Sequence, residues 1–298
     1  MYNSTSPNLF SRRDFIKGGV LCGAAVCAGL GKFSLAATGD NSSALSAEPQ
    51  LSFIKKMKRD AESYTQGLAY EIDEKSKRPV LYESGGQYRS SLLRRVDAET
   101  LEPIQQIKIA DQYFAEGLAI VDDRIFMLTW QEHACFVYEK DTLKRVDEFR
   151  YRGEGWGLAY DGKYLAMSDG SSKIRFMDPS DFRQKKSIDV HFTTKNGVRK
   201  PVKYLNELEY VNGELWANVF QQKYVVRIDP ETGEILGNAL NFANLVPENL
   251  KNSRDFVLNG LAYDAAGKRL FLTGKRWPVM YVLGVNSSSS ERPAAVDA

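Results

Sequence analysis

A single carboxylate stands among amide and aromatic side chains at one recurring place in this chain. Five short boxes built on Gly-Leu-Ala, or on a close variant of it, follow one another along the sequence. The residues before their central positions are Gln66, Glu116, Trp156, Asn206 and Asn259. A carboxylate beside amide and aromatic side chains is typical of a small-molecule pocket. Because the other four boxes carry no acid there, the repeat does not require Glu116, and we interpret it as a functional residue.

The spacing of the boxes predicts the architecture that positions these side chains. Their central residues lie 40 to 53 positions apart, and a repeat of that length is typical of solenoids, arrays and propellers. In each unit, further short strand-like runs separated by turns follow the box. In the third unit, Asp161-Gly162 predicts a tight hairpin, and residues 173–177 alternate between polar and apolar. Four antiparallel strands per unit indicate a propeller blade.

The fifth unit is short of one strand. After its box it supplies two strand-like segments and then ends, whereas residues 51–57 form a segment that belongs to no other unit. Pairing the first segment with the last would close the ring and cover the edge that an open sheet exposes. The sequence therefore predicts an all-β fold, a five-bladed β-propeller over residues 51–285 that is closed by an N-terminal strand.

The residues before the repeat predict an export signal over 1–37. Ser11-Arg12-Arg13-Asp14-Phe15-Ile16-Lys17 matches the twin-arginine motif, an apolar stretch follows over residues 18–31, and residues 34–36 offer a cleavage site. Residues 38–50 and 286–298 are rich in small and polar residues and are interpreted as a flexible leader and a disordered tail. We expect a periplasmic or secreted monomer that uses the twin-arginine export machinery.

Composition and residue counts narrow the function classes. A net charge of +2 gives no reason to expect a nucleic-acid partner. The basic runs at 55–59 and 195–203 are interpreted as a solvated strand face and a loop. Two histidines without metal-ligand spacing argue against a zinc site, and no Gly-x-Ser-x-Gly motif or glycine-rich phosphate loop is present in the sequence. Removal of the signal leaves only Cys135, which we interpret as a buried apolar residue.

The predicted fold tells where the candidate residues should meet. First strands line the channel of a propeller, so the box residues should converge on one mouth. Residues at the ends of second strands should join them, namely Trp130, Asp169, Phe220 and Lys275. Aromatic walls with a few polar groups are typical of a small-molecule pocket. Structural interpretations compete with this one: we favour a turn-forming role for Asn259 and a core position for Trp216.

Motifs spread over residues 51–285 resemble the glutaminyl-peptide cyclotransferases of the plant and bacterial type. The stretches that carry the resemblance are Tyr64-Thr65-Gln66-Gly67-Leu68, Phe114-Ala115-Glu116-Gly117-Leu118, Leu128-Thr129-Trp130, Gly155-Trp156-Gly157-Leu158-Ala159, Leu205-Asn206-Glu207-Leu208-Glu209, Trp216-Ala217-Asn218-Val219, Leu258-Asn259-Gly260 and Thr273-Gly274-Lys275-Arg276-Trp277. The resemblance implies a five-bladed propeller that converts the N-terminal glutamine of peptides and proteins to pyroglutamate. Ammonia is lost in this acyltransferase reaction, which needs no catalytic zinc.

The resemblance also implies roles for individual residues. Glu116 would transfer the proton, and the substrate-binding residues would be Gln66, Tyr64, Phe114, Trp130, Trp156, Asn206, Phe220 and Lys275. Tyr64 stands where the family usually has Phe, and Phe220 where Trp is common. Lys275, Gln66 or Asn206 could stabilise the developing oxyanion, and the sequence does not say which. No cofactor is expected to be required, and a structural cation in the channel is left open.

Two other classes of function compete with this interpretation. The first is a non-catalytic periplasmic propeller that binds peptides or protein partners, for which Glu116 would be dispensable. The second is a propeller lactonase or lyase, whose chemistry typically depends on a metal held by carboxylates and histidine or on a catalytic histidine. Turnover of a peptide that begins with glutamine separates the three.

Overall fold

The computed structural model describes residues 48–286 of the chain. The predicted export signal therefore lies outside the described residues, as do residues 38–47 of the predicted leader and 287–298 of the predicted tail. Strand β1 (Gln50–Lys58) pairs antiparallel with the last strand, Val279–Asn286, so the first and last segments close the fold as predicted. Over residues 48–286, no helix is both long and apolar enough to cross a membrane.

Five four-stranded antiparallel sheets make up the blades of the propeller. The first consists of β2 (Thr65–Ile72), β3 (Pro79–Gly85), β4 (Leu92–Asp97) and β5 (Pro103–Lys108). The second consists of β6 (Ala115–Val121), β7 (Arg124–Thr129), β8 (Ala134–Glu139) and β9 (Arg145–Arg150). The third consists of β10 (Leu158–Tyr160), β11 (Leu165–Met167), β12 (Lys173–Met177) and β13 (Gln184–Asp189).

A small hairpin separates the third blade from the fourth. Its strands are β14 (His191–Thr193) and β15 (Arg199–Pro201). The predicted loop at 195–203 was therefore wrong in part, because residues 199–201 pair with the strand before them.

The fourth blade consists of β16 (Leu205–Val211), β17 (Glu214–Val219), β18 (Tyr224–Ile228) and the short β19 (Leu240–Asn241). Two short 3-10 helices follow, Ala243–Leu245 and Glu248–Leu250. The fifth blade consists of β20 (Leu258–Asp264), β21 (Arg269–Gly274), β22 (Val279–Asn286) and β1.

The five first strands form a closed circle around the channel. Each of β2, β6, β10, β16 and β20 contacts the first strands of both neighbouring blades. The approach is so close that a Cβ added to Gly117 would lie 2.6 Å from the Cα of Gly157, and a Cβ on Gly157 would overlap the carbonyl group of Asn206. Real Cβ atoms do not approach backbone atoms so closely, so the glycines of the box are required by packing.

Apolar side chains fill the space between neighbouring blades. Trp216 belongs to the cluster between the fourth and fifth blades and is 1% exposed, which confirms the predicted core position. Cys135 is fully buried in the cluster between the second and third blades and is not in a disulfide. The blades are thus joined to one another by apolar packing, as expected for a propeller.

Buried Glu83 ties the N-terminal strand to the first blade. Its carboxylate binds Arg59 at 2.6 Å and Arg94 at 2.8 Å, and it accepts hydrogen bonds from Ser63 and Thr65. Arg59, predicted to lie on a solvated face, is therefore a buried partner of an ion pair. Burial raises the pKa of Glu83, but the charges of both arginines and the two hydroxyl donors outweigh burial and lower it to about 2.

Glu83→Gln should destabilise the fold by about 3–5 kcal/mol at neutral pH, because it leaves two arginine side chains without their buried counter-charge. A lowered pKa in the folded state stabilises the protein above the unfolded value of 4.5, and this contribution is lost as the pH falls towards 2. The difference between the wild type and the variant in urea unfolding should therefore shrink from pH 5 to pH 2.5. A difference that does not change with pH would contradict this account.

The matched control for this measurement is Asp141→Asn. Asp141 pairs with Lys75 at 2.6 Å, but both side chains are exposed. Exposed ion pairs contribute little to stability, so this variant should unfold close to the wild type across the same pH range.

Candidate active site

A β-bulge occurs at the box residue in four of the five blades. The regular pairing of β2, β6, β16 and β20 with the next strand is interrupted at Gln66, Glu116, Asn206 and Asn259. A bulge bends the strand and redirects the side chain at that point. In the third blade, β10 begins after the box glycine, and the N–H of Trp156 donates to the carbonyl of Ser168 at 3.0 Å.

The polar box residues are fully buried and linked to one another. Gln66 Nε2 donates to Oε1 of Glu116 at 3.2 Å. Asn259 Nδ2 donates to the carbonyls of Thr65 and Gln66 at 3.0 and 3.3 Å. The predicted turn-forming role of Asn259 was therefore wrong, since its side chain joins the fifth blade to the first. The side-chain amide atoms of Asn206, Oδ1 and Nδ2, are buried and have no hydrogen-bond partner within the part of the chain that the structure describes.

The backbone of Glu116 is held from two sides. The hydroxyl of Ser84, in the first blade, donates to the carbonyl of Glu116, and the N–H of Gly117 donates to the carbonyl of Trp156, in the third blade, at 2.7 Å. Contacts from both neighbouring blades therefore fix the position from which the carboxylate extends. Such a preorganised group does not need to rearrange when a substrate arrives.

Five aromatic side chains and one lysine contact one another in a continuous series. We call the set the aromatic wall, and its members come from all five blades: Tyr64, Phe114, Trp130, Trp156, Phe220 and the cation Lys275. On one side, Phe114 lies edge-to-face with Trp130 at a centroid distance of 5.6 Å and with Tyr64 at 6.3 Å. Edge-to-face geometry is favourable because the positive ring edge meets the negative ring face.

The other side of the wall includes a buried cation. Lys275 is fully buried, with Nζ 5.0 Å from the ring centroid of Tyr64 and 5.2 Å from that of Phe220. Both distances are within the range of cation–π attraction. Phe220 in turn lies edge-to-face with Trp156 at 5.7 Å. The wall thus brings a positive charge to the mouth that holds the Glu116 carboxylate.

A second carboxylate joins the two tryptophans of the wall. Trp130 Nε1 and Trp156 Nε1 donate to the same oxygen of Glu154, at 2.7 and 2.8 Å. Beside Trp130, the phenol of Tyr88 donates to Glu132 at 2.7 Å. Burial and this hydrogen bond raise the pKa of Tyr88, and the charges of Glu132, Glu116 and Glu154 act in the same direction.

Contacts join six of the predicted site residues in the aromatic wall and link Gln66 to Glu116. Asn206 is fully buried, and its backbone packs against Gly157. One further residue expected at the mouth lies apart, and the structure adds others. Asp169 forms an ion pair with Arg175 at 3.7 Å and is not a member of the wall. Asn218 is an addition: its Oδ1 accepts the N–H of Gly260 at 3.2 Å, and its Nδ2 is buried with no hydrogen-bond partner among residues 48–286. Its place at the end of a second strand could have identified it. Glu154 stands in a loop and shows no periodic signal.

Glu207, one of two acids in the fourth box, has a different role from Glu116. It occupies the place that glycine takes in the other boxes, and its Oε2 accepts the N–H of Leu261 at 3.0 Å. Burial and the charge of Glu209 raise its pKa. We interpret Glu207 as a structural residue that links neighbouring first strands, whereas we expect the side chain of Glu116 at the channel mouth.

The two histidines, His133 and His191, are not members of the aromatic wall. His133 Nδ1 is 2.7 Å from the carbonyl oxygen of Gly153, and His191 Nδ1 is 2.8 Å from that of Asp189. Across residues 48–286, no three His, Cys, Asp or Glu side chains come together in a way that could hold a metal ion.

Comparison with known proteins identifies the family. A family model for glutamine cyclotransferases matches residues 25–285. The chain belongs to the glutamine cyclotransferase family. It is 38% identical over 245 residues to a glutaminyl-peptide cyclotransferase of Arabidopsis thaliana, covering 81% of this chain and 73% of that protein. A crystal structure of Myxococcus xanthus glutaminyl cyclase matches with a TM-score of 0.70 at 30% identity, covering 82% of this chain and 100% of that one. The all-β five-bladed propeller is therefore confirmed.

Gly170→Ala should displace Trp156 and weaken cyclotransferase activity. Gly170 has a φ of +80°, and an added Cβ would lie 2.6 Å from the Trp156 indole. We expect the KM for a glutaminyl peptide to rise about tenfold, which corresponds to ~1.4 kcal/mol.

Gly162→Ala is the matched control for Gly170→Ala. Gly162 has a φ of +92°, but an added Cβ would meet nothing within 4 Å. Both variants should lose about 1–2 kcal/mol of stability from backbone strain, and only Gly170→Ala should change KM. Equal steady-state kinetics for the two variants would show that the position of the indole does not matter.

Proposed function

We propose that this family member cyclises the N-terminal glutamine of peptides and proteins to pyroglutamate, with Glu116 transferring the proton. Family membership supports the class of reaction. The observation that supports the role of Glu116 is that its carboxylate is fully buried, accepts a hydrogen bond from Gln66 and lies two residues after Phe114 of the aromatic wall. The reacting groups of an N-terminal glutamine are its uncharged side-chain carboxamide and its α-amine. Both groups fit an apolar pocket with a few polar groups.

The reaction needs one nucleophile, one leaving group and one proton transfer. The α-amine nitrogen of the substrate attacks the γ-carboxamide carbon, and a new amide bond closes the five-membered ring. The old bond between that carbon and the amide nitrogen then breaks, and ammonia leaves. Glu116 accepts the proton that the attacking amine gives up and delivers it to the departing nitrogen. Nucleophile and leaving group belong to one molecule, so no co-reactant is consumed.

The aromatic wall would supply much of the acceleration by positioning. A free glutamine side chain is flexible, whereas attack requires it to fold back until the reacting atoms are about 3–3.5 Å apart. Rings from four blades can hold the aliphatic part of that side chain in the folded form. They also exclude water, which strengthens the electrostatic interactions inside the site.

The polar groups have distinct tasks in this proposal. Asn206 has an acceptor and two donors buried at the mouth without partners among the described residues, so it would pair with the substrate carboxamide. Lys275 brings a positive charge to the wall and would stabilise the developing oxyanion. A carboxyl group enclosed by aromatic rings should have a raised pKa, which suits a proton shuttle near neutral pH. The raised pKa of Glu116 stays a prediction.

The test is ammonia release from peptides that begin with glutamine, with the loss of one ammonia followed by mass spectrometry. Glu116→Gln keeps the shape of the side chain but cannot accept the proton, so kcat should fall by about 10²–10⁴-fold with little change in KM. Glu148→Gln, on the outer strand β9, is the matched control and should retain full activity. Full turnover by Glu116→Gln would remove Glu116 from the mechanism.

The same assay separates the competing functions. Absence of turnover by the wild type, together with binding of the peptide, would favour the non-catalytic peptide-binding propeller. Activity that persists in the presence of a chelator would support a reaction without a metal, and loss of activity restored by added metal would show that one is required.

We also propose that the twin-arginine machinery exports the chain to the periplasm or beyond. The support is the motif at residues 11–17 and the apolar stretch that follows it. Replacing both Arg12 and Arg13 with Lys should keep the full-length precursor in the cytoplasm, whereas the wild type should be found, shortened, outside it. Cell fractionation with antibody detection checks this. Equal export of both proteins would exclude the twin-arginine route.

A further inference from the structure

Two tryptophans from different blades share one acceptor oxygen. Trp130 follows β7 in the second blade, and Trp156 precedes β10 in the third. Both indole N–H groups donate to Oε2 of Glu154, at 2.7 and 2.8 Å. A carboxylate is a stronger acceptor than a neutral oxygen, and its hydrogen bonds are correspondingly shorter. The two indole nitrogens therefore cannot move apart while the carboxylate stays in place.

Glu154 is itself held firmly. Its carbonyl accepts from Arg175 at 3.2 Å, and the next N–H along the chain, that of Gly155, donates to the carbonyl of Trp130 at 3.0 Å. Arg175 also donates to the carbonyl of Arg152 at 2.7 Å, so one guanidinium spans the loop. The second carboxylate oxygen accepts from Gln131 at 3.2 Å. The loop thus fixes both the backbone and the side chain of Glu154.

Glu154 completes the circle of contacts around the mouth. The wall runs from Trp130 through Phe114 and Tyr64 to the cation, and from there through Phe220 to Trp156. The hydrogen bonds to Glu154 then join the two ends, between the second and third blades. Ring-to-ring contacts tolerate sliding, whereas two short bonds to one oxygen set the direction in which each indole points.

We propose that Glu154 is a positioning residue for the cyclisation reaction, acting through Trp130 and Trp156 rather than on the substrate. The proposal rests on the function proposed above. If the wall holds the glutamine side chain in its folded form, release of the two indoles leaves fewer bound molecules ready to react. A misplacement of about 1 Å can cost about 10²-fold in rate. Glu154 would move no proton.

The chain allows a direct measurement of the indoles. It has four tryptophans, and two of them are internal references: Trp216 Nε1 donates to Glu214 and Trp277 Nε1 donates to the carbonyl of Phe256. In the nitrogen–proton NMR spectrum of protein labelled with ¹⁵N-tryptophan, Glu154→Ala should shift the indole signals of Trp130 and Trp156. The signals of the two references should stay in place.

The kinetic arm compares Glu154→Ala with Glu154→Gln. Alanine removes the acceptor, so kcat/KM for a glutaminyl peptide should fall about 10–100-fold, with the pH profile unchanged in shape. Glutamine keeps one amide oxygen that can accept both indoles, so this variant should retain most of the activity and the wild-type NMR signals. Should the alanine variant fail to fold, Glu154→Asp is the substitute, because its shorter side chain cannot reach both nitrogens.

Three results would overturn the proposal. Unchanged kcat/KM in Glu154→Ala would show that the link is unnecessary, and an activity loss without shifted indole signals would show that Glu154 acts in another way. A change in the shape of the pH profile would indicate proton transfer by Glu154. If the wild type itself does not turn over, the proposed function has failed, and unshifted signals in the variant would independently show that Glu154 does not position the indoles.

Discussion

The close approach of five strands around one channel is the constraint from which the rest of this structure follows. At Gly117 and Gly157 the first strands come so near one another that a side chain has no room. Glycine occupies this position in four of the five boxes, and Glu207 occupies it in the fourth. In the first, second, fourth and fifth blades the residue just before this position lies in a bulge, and a bulge redirects the side chain at that point. Packing alone thus gathers residues that are about 50 positions apart in the sequence.

Three buried acids show how their surroundings separate their roles. Glu83 lies between two arginines and two hydroxyl donors, which lower its pKa to about 2 and keep it ionised at neutral pH. Glu207 faces the backbone of a neighbouring first strand and a second acid, and its pKa is raised. Glu116 is fully buried, accepts a hydrogen bond from the side-chain amide of Gln66, and lies two residues after Phe114 of the aromatic wall. Of the three, only Glu116 is hydrogen-bonded to a candidate substrate-binding side chain, so the proposed proton transfer falls to it.

Much of the fold and of the candidate site could be predicted from the sequence, because equivalent residues of a repeat occupy equivalent positions in every blade. The boxes located the first strands and the candidates Gln66, Glu116, Trp156 and Asn206, and the missing strand of the fifth unit located the closing segment. The ends of the second strands added Trp130, Phe220 and Lys275, and the family resemblance added Tyr64 and Phe114. What the repeat could not predict are the features that occur once. Arg59 was assigned to a solvated face because a charge run does not show its partner, Glu83. The contacts of Glu154 depend on the geometry of its loop, and the link from Asn259 to the first blade depends on a β-bulge. Neither feature produces a repeating pattern in the sequence.

The central claim is that Glu116 meets the amine of a glutamine residue held by the aromatic wall. The most direct measurement is a crystal structure of Glu116→Gln with a peptide that begins with glutamine. The α-amine should lie within hydrogen-bond distance of residue 116, with the carboxamide beside Asn206 and the side chain folded between Trp130 and Trp156. A peptide bound outside the channel mouth, or one whose amine points away from residue 116, would contradict the account.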